Sequence, residues 1–378
     1  MSAPLIWVIL PFLLSLGLVF LRRMERLSYG LAAGFSFALA LVALVLPLQT
    51  VLRLGPLNLE ITAGLSFFGR QLSITSADRL LLVLVYSSGG FLLLGGWIAR
   101  APRLLPSFGL ALMAVLVAAL SVQPFLYAAL LVELAVLVCV PLLAPPGEKV
   151  GQGTLRFLIF LTLGLPFILF AGWALGGTGL NLTDTRQVGQ ALFLLGVGFL
   201  FWLAVFPFYT WIPMLSSEAH PYSSGFILNL LPPIMLLLLL DFLGSFPFLR
   251  SLPAFISALQ LVGILMVLTG GVWAAFQEHL GRLFGYAVIM ETGFLLLAFS
   301  ITGEGGLEVF AAGLIPRMFS LGLFSLALAL LKRGGVPLTL EGIRGGLRTR
   351  PFAVSALTAA LLSLVGLPLF AVFPVRLN

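Results

Sequence analysis

The stretch VFPFYTWIPMLSSEAHPYSSG, residues 205–225, closes one apolar run at 188–212 and leads into a second at 222–246. Pro207 and Pro213 interrupt this region, and Pro232 and Pro233 fall inside the second run. Runs of this length predict helices that cross a bilayer, because about 20 residues rising about 1.5 Å each span roughly 30 Å of hydrocarbon. Proline removes a backbone donor and opens a helix, which lipid tolerates only where neighbouring groups or water satisfy the carbonyls set free. The expectation is a pair of broken membrane helices around a short polar loop. Broken helices in transporters commonly border an ion or substrate path, although a single proline is also compatible with a simple packing kink.

The rest of the chain extends the pattern. Of its 378 residues 61% are hydrophobic and 9% charged, and the mean hydropathy is +1.17. A soluble domain carries roughly a quarter charged residues, so no soluble fold covers this much apolar surface. Apolar runs between charged or Gly/Pro-rich breaks predict about twelve transmembrane helices. They fall at 4–21, 28–49, 79–99, 104–122, 124–145, 155–176, 188–212, 222–246, 253–276, 281–302, 308–331 and 352–374. The first is too long for a signal-peptide core and no small-residue cleavage site follows it, so it reads as a retained helix. Residues 50–78 are polar and alternating enough for a small extramembrane hairpin. The expected fold is an all-α integral membrane protein, one polytopic domain over residues 1–378.

Charge sets the orientation. Twenty Lys and Arg against 13 Asp and Glu give a formal charge of +7, but the basic residues stand in short clusters between apolar runs. That pattern argues against a nucleic-acid surface. With the N-terminus outside the cytoplasm, thirteen basic residues face inward: Arg22, Arg23, Arg26, Arg100, Arg103, Lys149, Arg156, Arg282, Lys332, Arg333, Arg344, Arg348 and Arg350. Six face outward: Arg53, Arg70, Arg79, Arg186, Arg250 and Arg376. The positive-inside rule therefore favours an outside N-terminus, and twelve passes return the C-terminus to the same side.

Four ionisable residues sit within apolar runs: Glu133 in LLVELAVLV, Glu291 in VIMETGFLLL, Arg317 in GLIPRMFSLG and Asp241 in LLLLDFLGS. Such groups cost at least a few kcal/mol at membrane depth and usually face the bundle interior or a hydrated path. Asp241, near a helix end, reads as an interfacial anchor. Glu133 fits a proton relay, since a carboxyl in a low-dielectric bundle cycles its proton near neutral pH when a cation is close; the alternative is a permanently protonated, hydrogen-bonded carboxyl. Glu291 and Arg317 lie on adjacent passes and are expected to pair, as relay or as a structural couple. No Walker loop, dinucleotide fingerprint or HExxH is present. The lone Cys139 forms no internal disulfide, and His220 and His279 lie in loops far apart in sequence. Neither a metal site nor a cofactor is expected, nor a catalytic centre of the chain's own.

Three stretches resemble the antiporter-like membrane subunits of respiratory complex I and the related subunits of Mrp-type cation/proton antiporters and membrane-bound hydrogenases. VFPFYTWIPMLSSEAHPYSSG (205–225) is similar to that family's Pro-Phe-His-Thr-Trp-Leu-Pro run followed by Glu-Ala-Pro and Ser. HLGRLFGYAVIMETGFLLL (279–297) resembles its Lys-Arg-Leu-Leu-Ala-Tyr-Ser segment leading to a Gly. GGLRTRPF and SLVGLPLFAVFPVR, within 345–376, resemble its Gly-Gly-Leu, Ser-Leu-Ala-Gly-Leu-Pro and Gly-Phe elements ending in a basic residue. The resemblance implies two inverted five-helix repeats with broken helices, here about 104–246 and 253–378, in a family of about fourteen helices; the chain ends at Asn378, two helices short of that pattern.

The resemblance further implies a proton pathway through Glu133, which matches the family's fifth-helix Glu, and Arg376, which matches its last basic position, with Glu291 and Arg317 between them. Pro207, Pro213, Pro232, Pro233 and Pro368 are the expected broken-helix positions. Other positions depart: Trp202 stands where the seventh-helix Lys belongs, Pro233 at or beside the eighth-helix Lys, Tyr209 at the His, and Ser320 at the eleventh-helix Lys. The implied function is a proton-conducting subunit of a complex I-related NADH:quinone oxidoreductase or similar redox-driven ion pump in the inner membrane, partnered by other membrane subunits and lipids. The alternatives are a structural subunit that has lost proton translocation, supported by Trp202 and Pro233, and a self-standing transporter, disfavoured by the scarcity of polar residues for a substrate cavity.

Overall fold

The computed structural model describes the chain apart from residues 1, 47–50, 55–56, 68, 148, 177–184, 246–252, 302–303, 371 and 378. Arg250, expected in an outer loop, lies outside the described residues. In chain order the elements begin with one π-helical turn (Leu5–Ile9), α1 (Leu10–Phe20), α2 (Glu25–Val45), β1 (Val51–Leu54), β2 (Leu57–Glu60), β3 (Gly64–Phe67), β4 (Arg70–Ser73), α3 (Arg79–Ile98), α4 (Leu105–Ser121) and β5 (Val122–Gln123). Then follow α5 (Ala128–Leu143), α6 (Gln152–Gly176), α7 (Thr185–Trp202), α8 (Trp211–Glu218), α9 (Pro221–Ser245) and α10 (Pro253–Ala275). The chain closes with α11 (Leu280–Ser300), α12 (Glu304–Arg333), α13 (Gly346–Thr349), α14 (Pro351–Val365) and α15 (Phe373–Leu377).

Among the described residues nine helices are long and apolar enough to cross a membrane, and three shorter apolar helices accompany them, at Leu105–Ser121, Gly189–Trp202 and Pro351–Val365. These are the twelve runs read from the sequence. Their outer faces carry exposed Phe20, Phe91, Trp173, Phe193 and Phe352, a surface suited to acyl chains and not to water. Residues 51–73 form two short antiparallel pairs, β1 with β2 and β3 with β4, and β4 also pairs with β5.

The chain divides into two compact units. The first comprises Met1–Trp97, Pro102–Pro145 and Leu161–Phe199. Its centre is α4, in which every residue but Phe108 and Leu120 is buried. Long-range polar contacts tie its helices: Trp7 Nε1 donates to Leu39 O at 3.2 Å, the Tyr86 hydroxyl donates to Trp7 O, and Arg79 Nε caps the Ala43 carbonyl in the last turn of α2 at 2.9 Å.

The second unit comprises Ile98–Ala101, Pro146–Phe160 and Leu200–Asn378, with α9 buried along most of its length. Here α10 and α11 approach through glycines. A Cβ on Gly270 would meet Met290 N at 2.7 Å and Tyr286 O at 2.9 Å, and one on Gly293 would meet Val267 N at 2.9 Å. Small residues let membrane helices bring their backbones together. Gly270→Ala is therefore expected to cost about 1–3 kcal/mol through overpacking against backbone that cannot yield locally. Gly17→Ala is the contrast: nothing lies within 4 Å of its new Cβ, and removing a flexible helical glycine is expected to stabilise by about 0.5–1 kcal/mol. Thermal melts of the two variants in detergent should move in opposite directions.

Candidate functional site

Two interruptions lie in the second unit, one after α7 and one after α14, and both open with the same hydrogen bonds. After α7, Val205 N–H donates to Leu200 O and Ala204 N–H to Phe201 O, with Ala204 left-handed at φ +57. After α14, Leu367 N–H donates to Leu362 O and Gly366 N–H to Ser363 O, with Gly366 at φ +79. This paired pattern satisfies the last carbonyls of a helix while turning the chain out of it. Pro207 and Pro368 lie within these interruptions.

The other expected break positions behave differently. Pro213 is the third residue of α8, in its first turn, where the missing N–H has no intrahelical carbonyl to serve. Pro232 and Pro233 lie inside α9, which runs through them without interruption. Pro316, a further proline beside Arg317, also lies inside a continuous helix, α12.

The second interruption carries Arg376 back toward α11. A Cβ on Gly366 would meet Arg376 Nη1 at 3.1 Å, so the glycine leaves room for the guanidinium as well as allowing the left-handed turn. Arg376 Nη2 donates to Glu291 Oε1, and the side chains of the pair are 21% and 5% exposed. The guanidinium also lies 4.2 Å over the ring of Phe294, one turn along α11 from Glu291. Glu291 and Arg376 line a mainly apolar cavity of about 410 Å³, bordered also by Phe294, Pro316, Val375 and Gln260.

Arg317 does not pair with Glu291, contrary to the expectation. It is fully buried, and its Nη1 lies 3.4 Å from Asn229 O and its Nη2 3.3 Å from Leu228 O and 3.5 Å from Thr292 Oγ1. The reason is visible in α9: Pro232 and Pro233 lack the N–H groups that would bond the carbonyls four residues back, those of Leu228 and Asn229. A buried carbonyl without a donor costs more than a long hydrogen bond, so the guanidinium goes to α9 and leaves the carboxylate to Arg376.

Glu133 belongs to the first unit, and Glu291, Arg317 and Arg376 to the second. Its Oε1 accepts from Thr162 Oγ1 at 2.8 Å, while Oε2 is buried with no hydrogen-bond partner among the described residues. Thr162 was not singled out by sequence, although a signal existed: Pro166 stands four residues on and strips the Thr162 carbonyl of its helical donor, marking a polar spot in an apolar helix. Arg376 pairs with Glu291 and Arg103 with Glu25, and Glu133 has no cation partner among the described residues. Of the departing positions, Trp202 is buried at the end of α7, and Ser320 bonds Ser363 of α14 through their hydroxyls at 2.7 Å. Asp241 is exposed.

The polar loop of the opening motif serves packing. Glu218 Oε2 accepts from Gly153 N at 2.7 Å, capping the first turn of α6. His220 and His279 each use Nδ1 as an acceptor, from Tyr222 N at 3.3 Å and Gly281 N at 3.1 Å. Burial pushes the His220 imidazole down from 6.5 to about 4, helped by the charge of Lys332, and burial with Arg282 and Lys332 moves His279 the same way. A base held neutral in the fold is protonated first in the unfolded chain. Stability is thus expected to be full above pH 6.5 and to fall as pH drops toward 4, by at most about 3 kcal/mol for His220. Melts across this pH range should flatten in His220→Gln. Among the described residues no cluster of His, Cys, Asp and Glu could hold a metal ion.

Residues 180–377 match the family model for NADH:quinone oxidoreductase/Mrp antiporter transmembrane subunits. The chain is 27% identical over 246 residues to NADH-quinone oxidoreductase subunit N 1 of Herpetosiphon aurantiacus, covering 60% of this chain and 50% of the relative. It is 30% identical over 194 residues to subunit N of Chromohalobacter salexigens, covering 50% and 39%. The chain thus spans about half the length of the curated relatives it matches, or less. Its fold is similar to a chain of the Mrp complex from Dietzia sp. DQ12-45-1b, with TM-score 0.81 and 16% identity over 99% of this chain and 73% of that one. It is also similar to a chain of respiratory complex I from Thermus thermophilus, with TM-score 0.71 and 21% identity over 96% and 79%. With more than half of its length inside the family model and the interrupted helices in place, the chain belongs to the NADH:quinone oxidoreductase/Mrp antiporter transmembrane family.

Proposed function

We propose that the chain is a proton-conducting, antiporter-like membrane subunit of a complex I-related NADH:quinone oxidoreductase or a similar redox-driven ion pump. The observation that carries this reading is the Glu291–Arg376 ion pair, buried where a membrane span is interrupted. A carboxylate and a guanidinium are expensive at that depth, and they persist where charge is moved or gated. Glu133 supports it from the first unit: Thr162 holds one carboxyl oxygen, and the other has no hydrogen-bond partner among the described residues. The pathway groups Glu133, Glu291 and Arg376 with the charge of Arg317, and the redox centres that drive it are in other chains. The matching hydrogen bonds at the two interruptions support inverted repeats at about 104–246 and 253–378. The basic-residue asymmetry supports an inner-membrane location with the N-terminus outside the cytoplasm. Exposed apolar helix faces supply surfaces for other membrane subunits and for lipids.

A second reading, a subunit that kept the scaffold and lost conduction, is favoured by buried Trp202 and by Pro233 at positions where the family resemblance calls for lysine. Affinity purification in mild detergent distinguishes association from independence. Co-purification of quinone-reducing or hydrogenase-type subunits is the expected result, and a stable monomer overturns both subunit readings.

A further inference from the structure

We infer that Pro232, Pro233 and Arg317 form a single device, in which the prolines remove two backbone donors from α9 and the guanidinium from α12 replaces them, fixing an immobile positive charge beside Glu291. The stoichiometry matches: two missing N–H groups, two freed carbonyls at Leu228 and Asn229, and one guanidinium with a nitrogen on each. A guanidinium suits this task because its planar fork presents several donors at fixed spacing and keeps its charge. The same side chain reaches Thr292, the residue after Glu291, so the charge that repairs α9 is also held next to the carboxylate that Arg376 engages. Arg317 is in this sense a positioning residue. It does not pass protons but sets the field in which Glu291 and Arg376 act, and this second role rests on the transport reading above.

The test is a mutant cycle that repairs the backbone by another route. Arg317→Met leaves both carbonyls without donors and is expected to lower the Tm of the detergent-solubilised protein by roughly 5 °C or more. Adding Pro232→Ala and Pro233→Ala restores two N–H groups to α9, and most of that loss should return. Independent, additive Tm shifts overturn the backbone role. The triple variant is then assayed for proton uptake in sealed vesicles containing the host complex. Recovered stability with uptake reduced about tenfold or more supports the positioning role, and recovered stability with wild-type uptake overturns it. If the wild-type complex moves no protons, the transport reading fails and the positioning role fails with it, while the Tm cycle still decides the backbone role.

Discussion

Glu133→Gln is expected to leave the subunit assembled in its host complex while abolishing proton movement through it. The amide is nearly isosteric with a carboxyl, and its oxygen still accepts from Thr162, so the α5–α6 contact at 2.8 Å survives. What disappears is the ability to titrate. A relay contributes by cycling between protonated and ionised forms, and Gln has one form only. A permanently protonated structural Glu, in contrast, is nearly equivalent to Gln, and pumping would continue. The measurement is proton uptake by the complete complex in sealed vesicles, with subunit content checked in parallel. Normal pumping by an assembled Gln variant would sink the relay role and leave the scaffold reading. Thr162→Val is the companion: it removes the donor to Oε1 without removing the carboxyl, so uptake should persist.

Much of the fold was legible because a bilayer imposes a length rule on every pass, and among the described residues nine of the twelve apolar runs form helices that obey it. The interruptions at Pro207 and Pro368 were legible for a related reason, since proline marks where a helix loses a donor. The same signal misled at Pro232 and Pro233. Whether a proline breaks a helix depends on what replaces its N–H, and here the replacement comes from Arg317, 88 residues beyond Asn229. Sequence places no donor there. Glu291 and Arg317 were paired because they sit on successive passes and each needed a partner. The partner of Glu291 is instead Arg376, 85 residues away, delivered by a turn whose geometry depends on Gly366. Individual charges at membrane depth could be read from composition, but their pairing is set by backbone groups left unsatisfied elsewhere, which no periodicity records.

Arg376→Met should destabilise the protein by about 3–5 kcal/mol, the usual cost of leaving one member of a buried ion pair without its partner. The expectation follows from exposure: with 21% and 5% of the side chains accessible, water screens the pair weakly and solvates the abandoned Glu291 carboxylate poorly. Adding Glu291→Gln removes the stranded charge, so the double variant should be more stable than Arg376→Met alone, and the non-additivity in a double-mutant cycle should exceed about 1 kcal/mol. Two controls bracket the result. Arg103–Glu25 is a shorter-looking bond than most at 2.6 Å, yet its side chains are 69% and 46% exposed, so Arg103→Met should cost no more than about 1 kcal/mol. Arg317→Met combined with Glu291→Gln should couple more weakly than the Arg376 cycle does, because the Arg317 guanidinium donates to α9 and Thr292 and reaches the carboxylate through its charge alone. Strong coupling of Glu291 to Arg317 with none to Arg376 would reverse the assignment of the ion pair, and equal coupling to both would mean that the carboxylate is shared between the two guanidinium groups.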